Sequence, residues 1–293
     1  MAYEEIVERV WPDRKTTVEV LGGGITNHNL KVTLDDGRSF VLRIAGRDTD
    51  RLGIDRGVEH DASLAASVVG VGPEVVDFVL PEGYLVTKFI EGTVVSLEQM
   101  HEDATIRRVA TSLRAVHNGP QLARRFDPFQ IVEDYRTTAY SKGVTVPEGY
   151  VRARQLARGI AAARGPVPER PCHNDLLNAN FIDDGTLIRI VDWEYAGNGD
   201  IFFDLANFSV NNQLDEDSRR VLLDAYFGSV QPSDTRALEL MRFMSDFREA
   251  MWGVVQTAIS ALDFDFPAYA DEHFARLDET AANPAFQVAL SGD

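Results

Sequence analysis

The chain has 293 residues, of which 44% are hydrophobic, enough for a sizeable globular core. Its 46 acidic residues against 29 Lys and Arg give a formal net charge of −17, which argues against a nucleic-acid partner and suits a small cationic substrate. One cysteine, Cys172, excludes a disulfide within the chain, no apolar run approaches a membrane span, and MAYEEIVERV has no signal-peptide pattern, so a cytoplasmic protein is expected.

In chain order, residues 4–10 read as a short helix and 17–20, 30–34 and 39–44 as strands, with Asp35-Asp36-Gly37 turning the second strand into the third. Between the first two lies LGGGITNHN. A glycine loop from strand to helix would suit a dinucleotide or P-loop fold. This one runs from strand to strand, because LKVTL alternates with period two. That is the kinase arrangement, in which a glycine hairpin covers nucleotide phosphates. Gly22, Gly23 and Gly24 permit close backbone approach, and Thr26 and Asn27 can donate to phosphate oxygens. A plain hairpin tip is the alternative.

Arg43, in VLRI, falls on the third strand, where kinases carry a phosphate-binding lysine, and a guanidinium can grip phosphate oxygens in bidentate fashion. A solvated edge charge is the bland alternative. Residues 57–69 read as a helix with Glu59 in its first turn, a position the helix dipole favours for a carboxylate. Residues 75–80 and 84–90 make another strand pair around Pro81-Glu82-Gly83, and Gly92 is the expected lobe boundary. Beyond it, Ile106, Val109, Leu113 and Val116 recur at helical spacing until Gly119-Pro120. Residues 129–140 and 150–163 read as helices without a functional signal, and Arg152, Arg154 and Arg158 as a solvated face.

The most informative stretch is CHNDLLNANFIDDGTLIRIVDWEYAGNGD, from Cys172 to Asp200. His173-Asn174-Asp175 followed by Asn180 has the H-x-D-x-x-x-x-N spacing of a phosphotransfer catalytic loop. In such a loop the Asp takes the proton of the attacking hydroxyl and the Asn holds Mg²⁺. Asn180 to Ile182 and Leu187 to Val191 read as a hairpin turned by Asp183-Asp184-Gly185-Thr186. Folding it back brings Asn180 near Asp192. Two oxygen ligands beside a third carboxylate suit a hard cation that also carries phosphate oxygens. Each residue alone reads as a turn or cap; the spacing of all three around one hairpin favours the catalytic reading. Residues 217–227 and 234–262 follow as helices.

HND with Asn180, and VDWEYAGNGDIFFDLAN over 191–207, resemble the choline/ethanolamine kinase family, within the larger group that includes aminoglycoside phosphotransferases. The resemblance implies a bilobal protein-kinase-like α+β fold. A small, mostly antiparallel N-lobe (1–92) would cap the nucleotide over a larger, mainly helical C-lobe (93–293). It implies Asp175 as base and acceptor ligand, Asn180 and Asp192 as Mg²⁺ ligands, and Glu59 as ion-pair partner of Arg43. The backbone of Lys88, Phe89 and Ile90, in YLVTKFIEG, would form the hinge that meets the adenine of ATP. His173 and Asp204 would brace the catalytic loop. The family pattern often carries a glutamate seven residues beyond Asp204, where this chain has Asn211.

DFREAMWGVVQTAISALDF, 246–264, resembles the segment that builds the cation pocket in these kinases. Trp252 is kept, and Glu249 stands where a second tryptophan falls in the family. The two are three apart, hence on one helical face, where an aromatic ring and a carboxylate would both attract an ammonium. A core tryptophan with a surface glutamate is the alternative. Tyr195 is a further aromatic candidate. The expected reaction is phosphorylation of a small cationic amino alcohol, choline foremost. The rivals are ethanolamine, an aminoglycoside or another hydroxylated amine as acceptor, and a pseudokinase-type binding module.

Overall fold

The computed structural model describes residues 3–22, 27–45, 54–260, 262 and 264–292, leaving the side chains of Asn27 and Ala45 aside. It opens with α1 (Tyr3–Val10), then β1 (Thr16–Leu21), β2 (Asn27–Leu34) and β3 (Ser39–Ala45). After α2 (Arg56–Val68) come β4 (Val75–Val79) and β5 (Tyr84–Lys88). These strands form one antiparallel sheet in the order β1-β2-β3-β5-β4. Alternation sets its inner face: Leu30, Val32 and Leu34 of β2 pack with Phe40, Leu42 and Ile44 of β3, and α1 covers them with Ile6 and Val7. Asp55 caps α2 by accepting from the Gly57 and Val58 amides.

The rest is mostly helical: α3 (Asp103–His117), α4 (Pro128–Ser141), α5 (Gly149–Arg164), α6 (Ile201–Asn211), α7 (Glu216–Phe227), α8 (Pro232–Ile259), α9 (Phe266–Ala282) and α10 (Pro284–Ser291). The short strands between are β6 (Thr93–Val94), β7 (Arg170–Cys172), β8 (Phe181–Asp183), β9 (Ile188–Ile190) and β10 (Gly197–Gly199). The central helix α8 is buried over most of its length and packs against α4, α6 and α9. β8 and β9 form the expected hairpin, with β6 added at its edge. Its first strand starts one residue later than the sequence suggests. Asn180 instead ends a 3₁₀ turn, Asn178–Asn180, so its side chain is not committed to the strand's alternation. Arg152 and Arg154 are not merely solvated: they pair with Asp278 and Glu133.

Candidate active site

The catalytic-loop stretch is fixed from α6. Asp204 accepts from the His173 amide at 2.8 Å and the Asn174 amide at 2.7 Å, and Asn207, one turn on, accepts from the Leu176 amide at 2.6 Å. Asp204 also meets His117 Nε2 at 3.0 Å, whose Nδ1 lies 2.7 Å from the Tyr226 hydroxyl. His117, Cys172 and Asp204 are close enough to hold an ion, but both Asp204 oxygens are already committed to the loop amides. Asn174 has φ 69°, a left-handed conformation that Asn tolerates, and its Nδ2 donates to the Tyr195 carbonyl at 3.1 Å. His173 Nε2 lies 2.9 Å from the Val191 carbonyl, and its Nδ1 accepts from the Asp175 amide at 3.2 Å. That pairing requires the proton on Nε2, and burial lowers the His173 pKa in agreement with a neutral ring.

Asp175 thereby projects from an immobilised loop. Burial pushes its pKa up to about 7, opposed by the Arg248 charge and assisted by Glu249, Asp192 and Glu194. Asn180 donates through Nδ2 to the Asp175 carbonyl at 2.9 Å, which turns its Oδ1 away as an open acceptor. Asp192 has φ 69° and lies 2.7 Å from Arg43 Nη2. Burial would raise its pKa, but the Arg43 charge and hydrogen bond hold it below the usual carboxylate value. An open amide oxygen and a firmly ionised carboxylate fit Mg²⁺, a hard cation that prefers oxygen.

Arg43 is buried, and Glu59 stands 2.5 Å from its Nε. Its Nη2 also bonds Glu194 at 2.8 Å, and Arg56 bonds Glu59 at 2.6 Å. Glu194 lies within the DWEYA motif but was assigned no role from the sequence. A cavity of about 310 Å³ opens beneath the sheet, lined among others by Gly22, Arg43, Phe89, Ile90, Asn180 and Asp192. The Lys88 amide donates to Glu74 O and the Phe89 amide to Ser39 O. Of the three amides expected at the hinge, that of Ile90 alone has no backbone acceptor among the described residues. Gly23, Gly24 and Thr26 lie outside the described residues, as does the Asn27 side chain.

On the other side of Asp175 stands an aromatic group on α8 and α9. Trp252 Nε1 donates to the Tyr195 hydroxyl at 3.1 Å, and the Tyr269 hydroxyl donates to Glu249 Oε2 at 2.9 Å. Glu249 is not the free carboxylate the sequence suggests, because Arg248 Nη1 bonds its Oε1 at 2.5 Å. The same nitrogen lies 3.3 Å from Asp175 Oδ1. Burial would raise the Glu249 pKa, but Arg248, His273 and Tyr269 hold it below its usual value. Asn211, at the glutamate position of the family pattern, bonds Asn207 at 3.2 Å. Sequence reasoning missed Arg248, although it sits beside Glu249 in the quoted segment. It also missed Tyr269, for which no motif gave a signal.

An antiparallel sheet over a helical lobe defines a small-molecule kinase of the protein-kinase-like fold, given a buried loop carboxylate and a hairpin-borne Asn–Asp pair at the cavity between them. Residues 17–241 match the phosphotransferase enzyme family, and the chain belongs to it, within its choline/ethanolamine kinase branch. A choline/ethanolamine kinase family protein from Mesorhizobium loti is 31% identical with a TM-score of 0.85, covering 99% of this chain and 97% of that one. Protein LicA of Haemophilus influenzae is 26% identical over 70% of this chain and 61% of its own length. Ethanolamine kinase 2 of Rattus norvegicus is 27% identical over 89% of this chain and 75% of its own.

Proposed function

We propose that the protein transfers the γ-phosphoryl group of ATP to the hydroxyl of a small cationic amino alcohol, choline foremost. One observation carries this reading. Asp175 joins two groups of side chains: Asn180, which lines the cavity with Asp192, donates to its carbonyl, and Arg248 Nη1 links its carboxylate to Glu249, beside Tyr269, Tyr195 and Trp252. With Asp175 ionised, it and Glu249 outnumber Arg248 by one charge, so a monocation would balance this cluster. Aromatic walls suit a quaternary ammonium, which has no N–H to donate.

In the reaction Asp175 accepts the proton of the acceptor hydroxyl, whose oxygen forms a bond to the γ-phosphorus as the bond from that phosphorus to the β-phosphate oxygen breaks and ADP leaves with the electron pair. Asn180 and Asp192 would hold Mg²⁺, which would supply charge neutralisation of the phosphate oxygens. Arg43, held by Glu59, fixes Asp192 in place. The N-lobe cavity encloses the nucleotide, with the Ile90 amide toward the base and Gly22 at the phosphate end. The relatives include both an ethanolamine kinase and a choline/ethanolamine kinase family protein, which keeps ethanolamine as the nearest rival.

The test is ADP release by purified protein with choline, ethanolamine and aminoglycosides, repeated for Trp252→Ala. Choline should turn over best, and Trp252→Ala should raise its KM more than that for ethanolamine by about 0.5–2 kcal/mol. Equal losses on the two amines would make Trp252 a packing residue. Turnover on an aminoglycoside alone would overturn the acceptor while leaving the kinase reading.

A further inference from the structure

Arg248 is among the largest fully buried side chains, at 1% exposure. Its guanidinium lies over the Tyr195 ring, 4.5 Å from the centroid, and Nη1 is spent on Asp175 and Glu249. Nε and Nη2 are buried and make no hydrogen bond. Buried donors left unpaired are costly, and balancing the two carboxylates needs only the nitrogen already engaged. The unpaired, buried edge of the guanidinium therefore calls for an oxygen that the described residues do not supply. It lies beside the carboxylate proposed to take the proton. An acceptor ammonium cannot fill it, because it carries the same charge as the guanidinium and offers no lone pair to accept a hydrogen bond. A phosphoryl group in transfer can, since its charge spreads over three equatorial oxygens.

We propose that Arg248 is a further catalytic residue, whose Nε and Nη2 bind an oxygen of the phosphoryl group as it passes to the acceptor. The inference rests on the kinase reading above. In the step, the acceptor oxygen bonds to the γ-phosphorus as the bond to the β-phosphate oxygen breaks. The hydroxyl proton goes to Asp175, and the electron pair leaves with ADP. Arg248 gains hydrogen bonds as the group crosses and changes no covalent bond. Because Nη1 holds Asp175 Oδ1, Oδ2 is the oxygen turned to the hydroxyl.

The probes are MgADP alone and MgADP with aluminium fluoride, which mimics the group in flight. In wild type, MgADP should raise the unfolding midpoint and fluoride should raise it further. Arg248→Lys and Arg248→Met should keep the MgADP shift, which shows that they fold, and lose most of the fluoride increment. ADP release with choline or ethanolamine should fall on the order of 10²–10³-fold in kcat, with the KM for ATP little changed. Free guanidinium should restore part of the activity of Arg248→Ala. A fluoride increment absent from wild type, or equal in the variants, overturns the role of Arg248. A wild type that MgADP does not shift overturns the kinase reading itself, and this inference with it.

Discussion

Asp175 shows how much one side chain owes to its surroundings. An aspartate in water would be ionised above about pH 4. Burial raises this one to about 7, where a general base is most effective near neutral pH. The basic form predominates above that value, so kcat/KM should climb with pH through a midpoint near 7, level off about a unit above it, and be lost as pH falls below it. Asp175→Asn should lower kcat about 10²–10⁴-fold and abolish the limb, with ATP binding retained. A limb near pH 4 in the wild-type profile would place the carboxylate in contact with bulk water instead. Asp175, Asn180 and Asp192 were legible because their relation is local, a fixed spacing followed by one hairpin. Arg248 was not, since its contact with Asp175 spans 73 residues and exists only once α8 has packed beneath the loop.

Between elements, close approach decides where the chain can pass from sheet to helices. We place the division of the lobes at Gly92. A Cβ there would come within 2.5 Å of the Asp183 carbonyl oxygen and 2.8 Å of Ile182 Cγ2. The first of these is backbone and cannot swing aside. Gly92→Ala should therefore push β6 away from β8 and destabilise the protein by about 1–3 kcal/mol, read from denaturant midpoints. An unchanged midpoint would mean that the crossing has slack. The N-lobe strands and α3 were readable from strong alternation and helical spacing. α9 was not assigned, because its buried stripe mixes Phe266, Phe274 and Leu277 with Ala270, His273 and Ala281. Small and polar residues on that stripe mute the hydrophobic period, although they fit its packing against α8.

Across the whole molecule, a cluster of charges ties sheet to helical body. Arg43 and Glu59 come from the N-terminal part, Asp192 and Glu194 from the C-terminal part, and Arg56 bonds Glu59 while lying 3.6 Å from Glu194. Arg43→Met would leave three carboxylates facing one another without the guanidinium that bridges them, Arg56 still bonding Glu59. Loss of one partner from such a buried set costs about 3–5 kcal/mol. Arg43 depresses the Asp192 pKa, so its stabilisation is present above the unfolded value and lost as pH falls through the folded one. The gap in stability between wild type and Arg43→Met should thus be wide at neutral pH and narrow on acidification. Equal gaps at both, by chemical denaturation, would show that Arg43 contributes by packing alone.

The lone cysteine gives the molecule a reporter. Cys172 is fully buried on β7, one residue before the catalytic loop, and burial pushes its thiol pKa up. Alkylating reagents consume thiolates, so they act only after that segment has swung out into water. The pace of labelling on the native enzyme is then a clock for excursions of the strand that leads into Asp175. A bound nucleotide should slow that clock without ever touching the sulfur.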